Sequence, residues 1–140
     1  MQRSAGYSGT PLPKKLGFKP GAAIVVIGQP KNYAELVSPL PSGARIVSRL
    51  PKQPEFVHLF TAARTELAKH LTRLRTMVAP DAMVWVSWPK RASGVTTDIT
   101  EDVIRAVALP LGFVDVKVCA VDETWSGLKL VIRSELRPKE

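Results

Sequence analysis

The segment Trp88-Pro89-Lys90-Arg91-Ala92-Ser93-Gly94 holds the densest set of anion-binding groups in the chain. Lys90 offers an ammonium, Arg91 a planar guanidinium, Ser93 a hydroxyl, and Gly94 room for close backbone approach. An apolar run, Ala82 to Trp88, leads into it, and the helix-start pattern Asp98-Ile99-Thr100-Glu101-Asp102 follows. A helix opening there turns its free N–H groups and its dipole toward the same anion. Glu101 and Asp102 compete for that dipole, and Asp98, Asp122 and Glu123 compete for the two cations. The segment therefore reads in two ways: a salt-bridged loop, or a ligand site built from Trp88, Lys90, Arg91, Ser93, Gly94 and Asp122.

The other reactive side chains carry plainer expectations. His58 lies inside an apolar run and His70 beside Leu71 in a helical one, so both are expected to be structural. No Ser-His-Asp set emerges. Asp122 and Glu123 stand at a strand end, but adjacent strand residues face opposite sides, which weakens them as an acid–base pair. Cys119 is the sole cysteine, so no internal disulfide forms, and its context Val116-Lys117-Val118-Cys119-Ala120 predicts a buried, inert thiol. With two histidines and one cysteine no structural zinc site arises, and no metal is expected. Trp85 and Trp88, three apart in a strand, face opposite sides. Trp85 is assigned to the core, and Trp88 with Trp125 to a pocket wall. No residue is assigned a catalytic or cofactor-binding role, and no cofactor is expected.

These residues need a scaffold, and hydrophobic patterning supplies one. Ala23-Ile24-Val25-Val26-Ile27, bounded by Gly21 and Gly28, is a β-branched run of the kind buried on both faces of a parallel sheet. Asn32 to Val37 predicts a short helix ended near Pro39 and Pro41. Ala44 to Ser48 and Glu55 to Phe60 predict the second and third strands. Thr65 to Val78 is the clearest helix, with Leu67, Leu71, Leu74 and Val78 on one stripe and Pro80 beyond its end. Ala82 to Trp88 is the fourth strand. The next helix runs to about Leu109, where Pro110 and Gly112 close it. Its start has two candidate caps: Asp98 with Glu101 as a capping box, or Thr100 with Ile99 stapled onto Ile104. Val114 to Val121 and Leu128 to Ile132 are the last strands, joined through Glu123-Thr124-Trp125-Ser126 and Gly127 as an antiparallel hairpin.

The order β-α-β-β-α-β-α-β-β predicts a Rossmann-like three-layer α/β sandwich, with a mostly parallel sheet and an antiparallel C-terminal hairpin. Residues 1–20 read as an irregular N-terminal arm and 21–140 as a single Rossmann-like domain. Within the arm, Gly6 to Lys15, with Tyr7, Lys14 and Lys15, is either a lid over the sheet's carboxyl edge or a disordered tail.

Composition fits that scaffold. The chain has 140 residues, 45% of them hydrophobic, enough for one continuous core. Its apolar runs are too short to span a bilayer, and the N-terminus lacks a signal-peptide core, so a cytoplasmic location is expected. Twenty Lys and Arg against twelve Asp and Glu give a net charge of +8, which favours anionic partners. The basic residues are dispersed and aromatics are only 6%, so nucleic acid is disfavoured as a partner. A small anionic ligand or a protein partner is expected instead, and an exposed hairpin edge leaves a homodimer open.

In such a sheet ligands bind beyond the carboxyl ends of the strands, here at Gly28-Gln29-Pro30, Thr61 to Arg64, Trp88 to Thr97 and Asp122 to Ser126. The final βαβ unit and hairpin resemble a class I S-adenosylmethionine-dependent methyltransferase shortened by one helix and one strand. Leu16-Gly17-Phe18-Lys19-Pro20-Gly21-Ala22 is also similar to the phrase before the first strand of that class. The resemblance implies an acid in the first strand, then a G-x-G loop, then a ribose-binding acid after the second strand. Val26, Gly28-Gln29-Pro30-Lys31 and Ser48-Arg49 stand in those places. A single glycine gives a cofactor little room, and Pro30 removes an N–H donor. The same shortage of glycines leaves no dinucleotide fingerprint.

The whole chain also resembles a small bacterial family described as a domain of unknown function. Ala5-Gly6-Tyr7-Ser8-Gly9-Thr10-Pro11-Leu12, Trp88 to Gly94, Asp98 to Val103 and Ala120-Val121-Asp122-Glu123-Thr124-Trp125-Ser126-Gly127-Leu128 carry the likeness. It implies a methyltransferase-like Rossmann fold and no particular activity. The leading expectation is thus a non-catalytic, basic, cytoplasmic protein that binds a small anionic ligand or a protein partner through its strand-end loops. Two alternatives stand beside it: a divergent S-adenosylmethionine-dependent methyltransferase, and a nucleic-acid-binding protein.

Overall fold

The β-branched run Ala23–Ile27 forms the first strand, β1, in a computed structural model that describes Thr10 to Pro138. Arg45–Val47 (β2) and Phe56–Phe60 (β3) pair with it in parallel, one on each side. Met83–Pro89 (β4) continues the parallel sheet beside β3. Phe113–Ala120 (β5) and Trp125–Ile132 (β6) form the antiparallel hairpin, with β6 inserted between β4 and β5. The sheet order is β2-β1-β3-β4-β6-β5, so the mixed Rossmann-like sheet stands as the patterning predicts. Trp125 and Ser126, expected in the hairpin loop, open β6 instead. They do so because Trp125 pairs with Pro89 and Ser126 with Trp88 on β4.

Helices cover both faces of the sheet. Leu12–Lys15 (α1) and Tyr33–Leu36 (α2), each a single turn, lie on one side; Arg64–Met77 (α3) and Glu101–Leu111 (α4) lie on the other. Alternation along the strands sorts the apolar residues into two layers. Val57, Leu59, Val84, Val86, Leu128 and Leu130 pack with the stripe Leu67, Leu71 and Leu74 of α3 and with Ile104 of α4. Ile24, Phe56, Phe60 and Trp85 pack with Leu16, Phe18 and Tyr33 on the opposite face. Each fully buried Leu or Phe contributes about 1.5–3 kcal/mol of transfer free energy, so these layers dominate stability.

The Trp85 indole N–H donates to the Leu16 carbonyl at 2.9 Å, which ties the end of α1 to the sheet. Tyr7 and the rest of residues 1–9 lie outside the described residues. Among the described residues, no helix is long and apolar enough to cross a membrane.

The two candidate caps of α4 turn out to serve different helices. Thr100 is its N-cap, with Oγ1 accepting from the Val103 amide at 3.2 Å. Ile99 and Ile104 are buried in one core, as a hydrophobic staple requires. Asp98 caps α3, its Oδ1 accepting from the Arg64 amide at 2.7 Å. It fills the place left by Ala63, the residue before α3, whose side chain has no acceptor. Pro110, expected to end α4, lies inside its last turn, and Gly112 follows as the C-cap.

Candidate functional site

The chain leaves β1 for β2 on one side and later returns to β3 on the other. The topological switch point, where open α/β sheets bind ligands, is therefore at the carboxyl ends of β1 and β3. Gly28 ends β1 with φ of 70°, and a Cβ there would stand 2.4 Å from the Phe60 carbonyl oxygen. This glycine is thus required by the close approach of the two strand ends themselves. Gln29, Lys31 and Asn32 continue the loop, all exposed, and Ser48-Arg49 close β2 at the same edge, since Val25 pairs with Val47. Thr61, nearly buried, ends β3.

A polar chain runs beneath this edge. The Tyr33 hydroxyl lies 2.8 Å from His58 Nδ1, and His58 Nε2 lies 2.7 Å from Ser87 Oγ. All three residues are buried. Burial pushes the His58 pKa down to about 3 and drives the Tyr33 phenol well above its usual value. His58 is therefore the satisfied structural histidine that its apolar context predicts. Ser87 and Tyr33, its partners, carry no such signal beyond one polar residue in an apolar strand.

On the α3/α4 face, the end of β4, the 3-10 turn Arg91–Ser93 and the start of α4 enclose a cavity of about 620 Å³. Its wall includes Trp88, Arg91, Gly94, Thr97, Thr100 and Arg105. Three of the six candidate residues thus meet there. Lys90, Ser93 and Asp122 shape the surrounding loops. The Ser93 hydroxyl donates to the Lys90 carbonyl at 2.6 Å, and Asp122 Oδ1 accepts from the Thr124 and Trp125 amides at 2.8 Å each. The Lys90 amide donates to the Thr124 carbonyl at 2.8 Å, so the hairpin turn does lie beside the cationic loop. Gly94 has φ of 79°, the left-handed conformation that ends the 3-10 turn.

The salt-bridged reading of the loop fails. Among the described residues, the ion pairs are those of Arg105 with Glu101, Asp102 and Asp115, while His70 Nε2 stands 3.9 Å from Glu66 Oε2. Neither Lys90 nor Arg91 takes part in them, and the Asp98 and Asp122 carboxylates accept from backbone amides instead. The Asp115 carboxyl is held below the usual carboxylate range by its hydrogen bond from Arg105. Trp88 and Trp125 do not share a pocket. Trp88 packs on the α3/α4 face, whereas Trp125 stands edge-on to Phe60 on the other, with ring centres 5.0 Å apart. Cys119 is half-buried, and burial raises its thiol pKa while Lys15 and Lys117 pull it down.

The sheet order and its antiparallel penultimate strand define a Rossmann-like fold of methyltransferase type. Solved structures of that type are similar to the chain. LepI in complex with S-adenosylhomocysteine and a substrate analogue matches at 13% identity and a TM-score of 0.57, over 89% of this chain. The chain spans only 47% of LepI. A SAM-dependent methyltransferase from Aquifex aeolicus matches at 13% identity and a TM-score of 0.59, over 86% of this chain and 87% of that one. Magnesium protoporphyrin IX methyltransferase from Synechocystis, with bound S-adenosylhomocysteine, matches at 13% identity and a TM-score of 0.52, over 81% and 74%. At such identities the likeness shows the fold. No protein-family model and no curated protein matches the chain.

These neighbours correct the leading expectation of a non-catalytic protein binding through its strand-end loops. Their shared fold, in structures that include two with bound S-adenosylhomocysteine, stands with the methyltransferase alternative instead. The implied group is S-adenosylmethionine, and the switch-point edge suits it in part. Gln29, Ser48 and Thr61 offer neutral acceptors for ribose hydroxyls. No carboxylate ends β2, where Ser48-Arg49 stand.

Proposed function

We propose that the chain is a divergent S-adenosylmethionine-dependent methyltransferase. The observation that carries this reading is the sheet order, with β6 running antiparallel between β4 and β5, set beside neighbours that hold S-adenosylmethionine-type molecules. Gln29, Ser48 and Thr61 would hold the ribose through neutral hydrogen bonds over the carboxyl ends of β1 and β3. The cofactor supplies an electrophilic methyl group. Trp88, Arg91 and Gly94 would line the acceptor side, with Arg91 as its unpaired cation and Trp88 as its apolar floor. Lys90, Ser93 and Asp122 hold the shape of that wall through the loop bonds described above. The buried Tyr33–His58–Ser87 chain links α2, β3 and β4 on the other face of the sheet from that acceptor wall.

The family with the Trp88–Gly94 and Ala120–Leu128 phrases, and a cytoplasmic location, belong to the same proposal. Titration calorimetry with S-adenosylmethionine and S-adenosylhomocysteine tests it. A saturable heat for either, weakened in Ser48→Ala and Gln29→Ala, is the expected result. No heat at high protein concentration overturns the reading.

A further inference from the structure

We propose that the face formed by α1, β5 and β6 binds a chain of phosphate groups through Lys14, Lys15 and Lys117. A cavity of about 600 Å³ opens there, and its wall includes Lys14, Lys15, Lys117, Cys119 and Ser126. Lys14 and Lys15 end α1, and Lys117 Nζ lies 3.4 Å from the Lys15 carbonyl oxygen, so helix and strand edge converge. Lys117 also stands directly opposite Lys129 in the β5–β6 register. Like charges in that position destabilise an antiparallel pair unless something anionic offsets them. Among the described residues no carboxylate pairs with either lysine: the acids in such contacts lie against Arg105 and His70. Residues 1–9, next to the site in sequence, contain no Asp or Glu. Burial, then Lys117 and Lys19, pull the Lys129 ammonium below its ordinary pKa.

The wall selects the chemistry of its occupant. Lysines are compact, strongly hydrated point charges, suited to phosphates without fixing a planar geometry. None of the described wall residues is aromatic, so they give a nucleobase no platform on which to stack. Several ammonium groups around one concavity favour a multiply charged anion, because each phosphate then meets more than one cation. A free oligophosphate and a nucleic-acid backbone both present that series of charges. The site lies on the Trp85 face of the sheet, across from the Trp88–Thr97 cavity, and does not rest on the methyltransferase reading.

The test titrates inorganic tripolyphosphate and, separately, a mixed-sequence single-stranded DNA into the full chain at low salt. Binding is read by calorimetry and thermal unfolding for the wild type, Lys117→Ala, and Lys14→Ala/Lys15→Ala/Lys117→Ala. Tripolyphosphate is expected to raise the wild-type Tm. The triple variant is expected to bind at least about tenfold more weakly, and for the DNA the slope of log affinity against log salt is expected to fall by about one per lysine removed. Loss of DNA binding in the same variants identifies a nucleic-acid backbone as the source; tripolyphosphate binding without DNA binding identifies a free oligophosphate. Alkylation of Cys119, on the same wall, slows when the site is filled. Binding of neither anion, affinity that survives in the triple variant, or an unchanged alkylation rate overturns the proposal.

Discussion

His58 and Ser87, on neighbouring strands β3 and β4, share a 2.7 Å hydrogen bond in which neither residue has any solvent exposure. The other ring nitrogen faces the Tyr33 hydroxyl at 2.8 Å. The two hydroxyls can each donate or accept, so both ring nitrogens of a neutral imidazole are paired in either tautomer. An imidazolium here would be a buried charge with no carboxylate partner, which is costly.

The consequence is an acid-dependent loss of stability. The folded pKa is about 3 and the ordinary value is 6.5, so the unfolded chain takes up the proton first. The contribution is fully present above about pH 6.5 and is lost as pH falls from there toward about 3, at about 1.4 kcal/mol per pH unit. Urea unfolding of the wild type and of His58→Gln checks this. The wild type should lose stability below about pH 6.5 more steeply than the variant; parallel losses would remove His58 as the cause. At neutral pH, Tyr33→Phe and Ser87→Ala should each cost about 1–3 kcal/mol by leaving one ring nitrogen unpaired.

Strands such as Ala23–Ile27 and Met83–Pro89 were legible because a β-branched or aromatic run bounded by Gly or Pro carries its own signal. The leucine stripe of α3 was legible for the same local reason. The partners of His58 were not, since Tyr33 and Ser87 lie 25 and 29 residues away in the chain and only the sheet brings them together. Asp98 misled in a related way: its position three residues before Glu101 suggests a capping box on the nearer helix, but its carboxylate reaches across to Arg64, 34 residues back. Candidate loop residues were legible by type, while their roles depended on which backbone amides had already claimed them. Asp122, taken up by Thr124 and Trp125, is the plainest case.

Gly28 and Gly94 share a left-handed backbone but differ in surroundings, which separates two costs. At Gly94 an added Cβ meets nothing within 4 Å, so Gly94→Ala should cost only the backbone term, about 1–2 kcal/mol. At Gly28 the Cβ would lie 2.4 Å from the Phe60 carbonyl oxygen. Gly28→Ala should therefore be the more damaging by a clear margin, with a shift of the β1 end away from β3. Equal losses in denaturant midpoint would contradict the close approach of these strand ends.

Arg91 is exposed and forms no ion pair among the described residues, although it lines the α4-side cavity. Arg91→Ala should leave the unfolding free energy within about 0.5 kcal/mol of wild type. Under the methyltransferase reading it should raise the acceptor KM while S-adenosylhomocysteine binding is retained. A variant with lowered stability and unaltered KM would make Arg91 a structural residue. Trp88→Ala is no substitute for this test, since Trp88 is buried in the core and its removal should cost about 3–5 kcal/mol.

Asp98 and Thr97 join the loop after β3 to the loop before α4, and so couple the cavity to the switch-point edge. The Thr97 hydroxyl donates to the Ala62 carbonyl at 2.7 Å, and Asp98 Oδ1 accepts from the Arg64 amide at the same distance. The second bond caps α3, and its loss in Asp98→Ala should cost about 1 kcal/mol. Asp98→Asn keeps a carbonyl oxygen in place and should recover most of that, the remainder being the charge's interaction with the helix dipole. Amide exchange at Arg64 and Thr65 should quicken in Asp98→Ala and far less in Asp98→Asn. Glu123→Ala, which removes an exposed acid that forms no ion pair among the described residues, is the control for net charge. If it destabilises as much as Asp98→Ala, the capping bond across the two loops contributes nothing of its own.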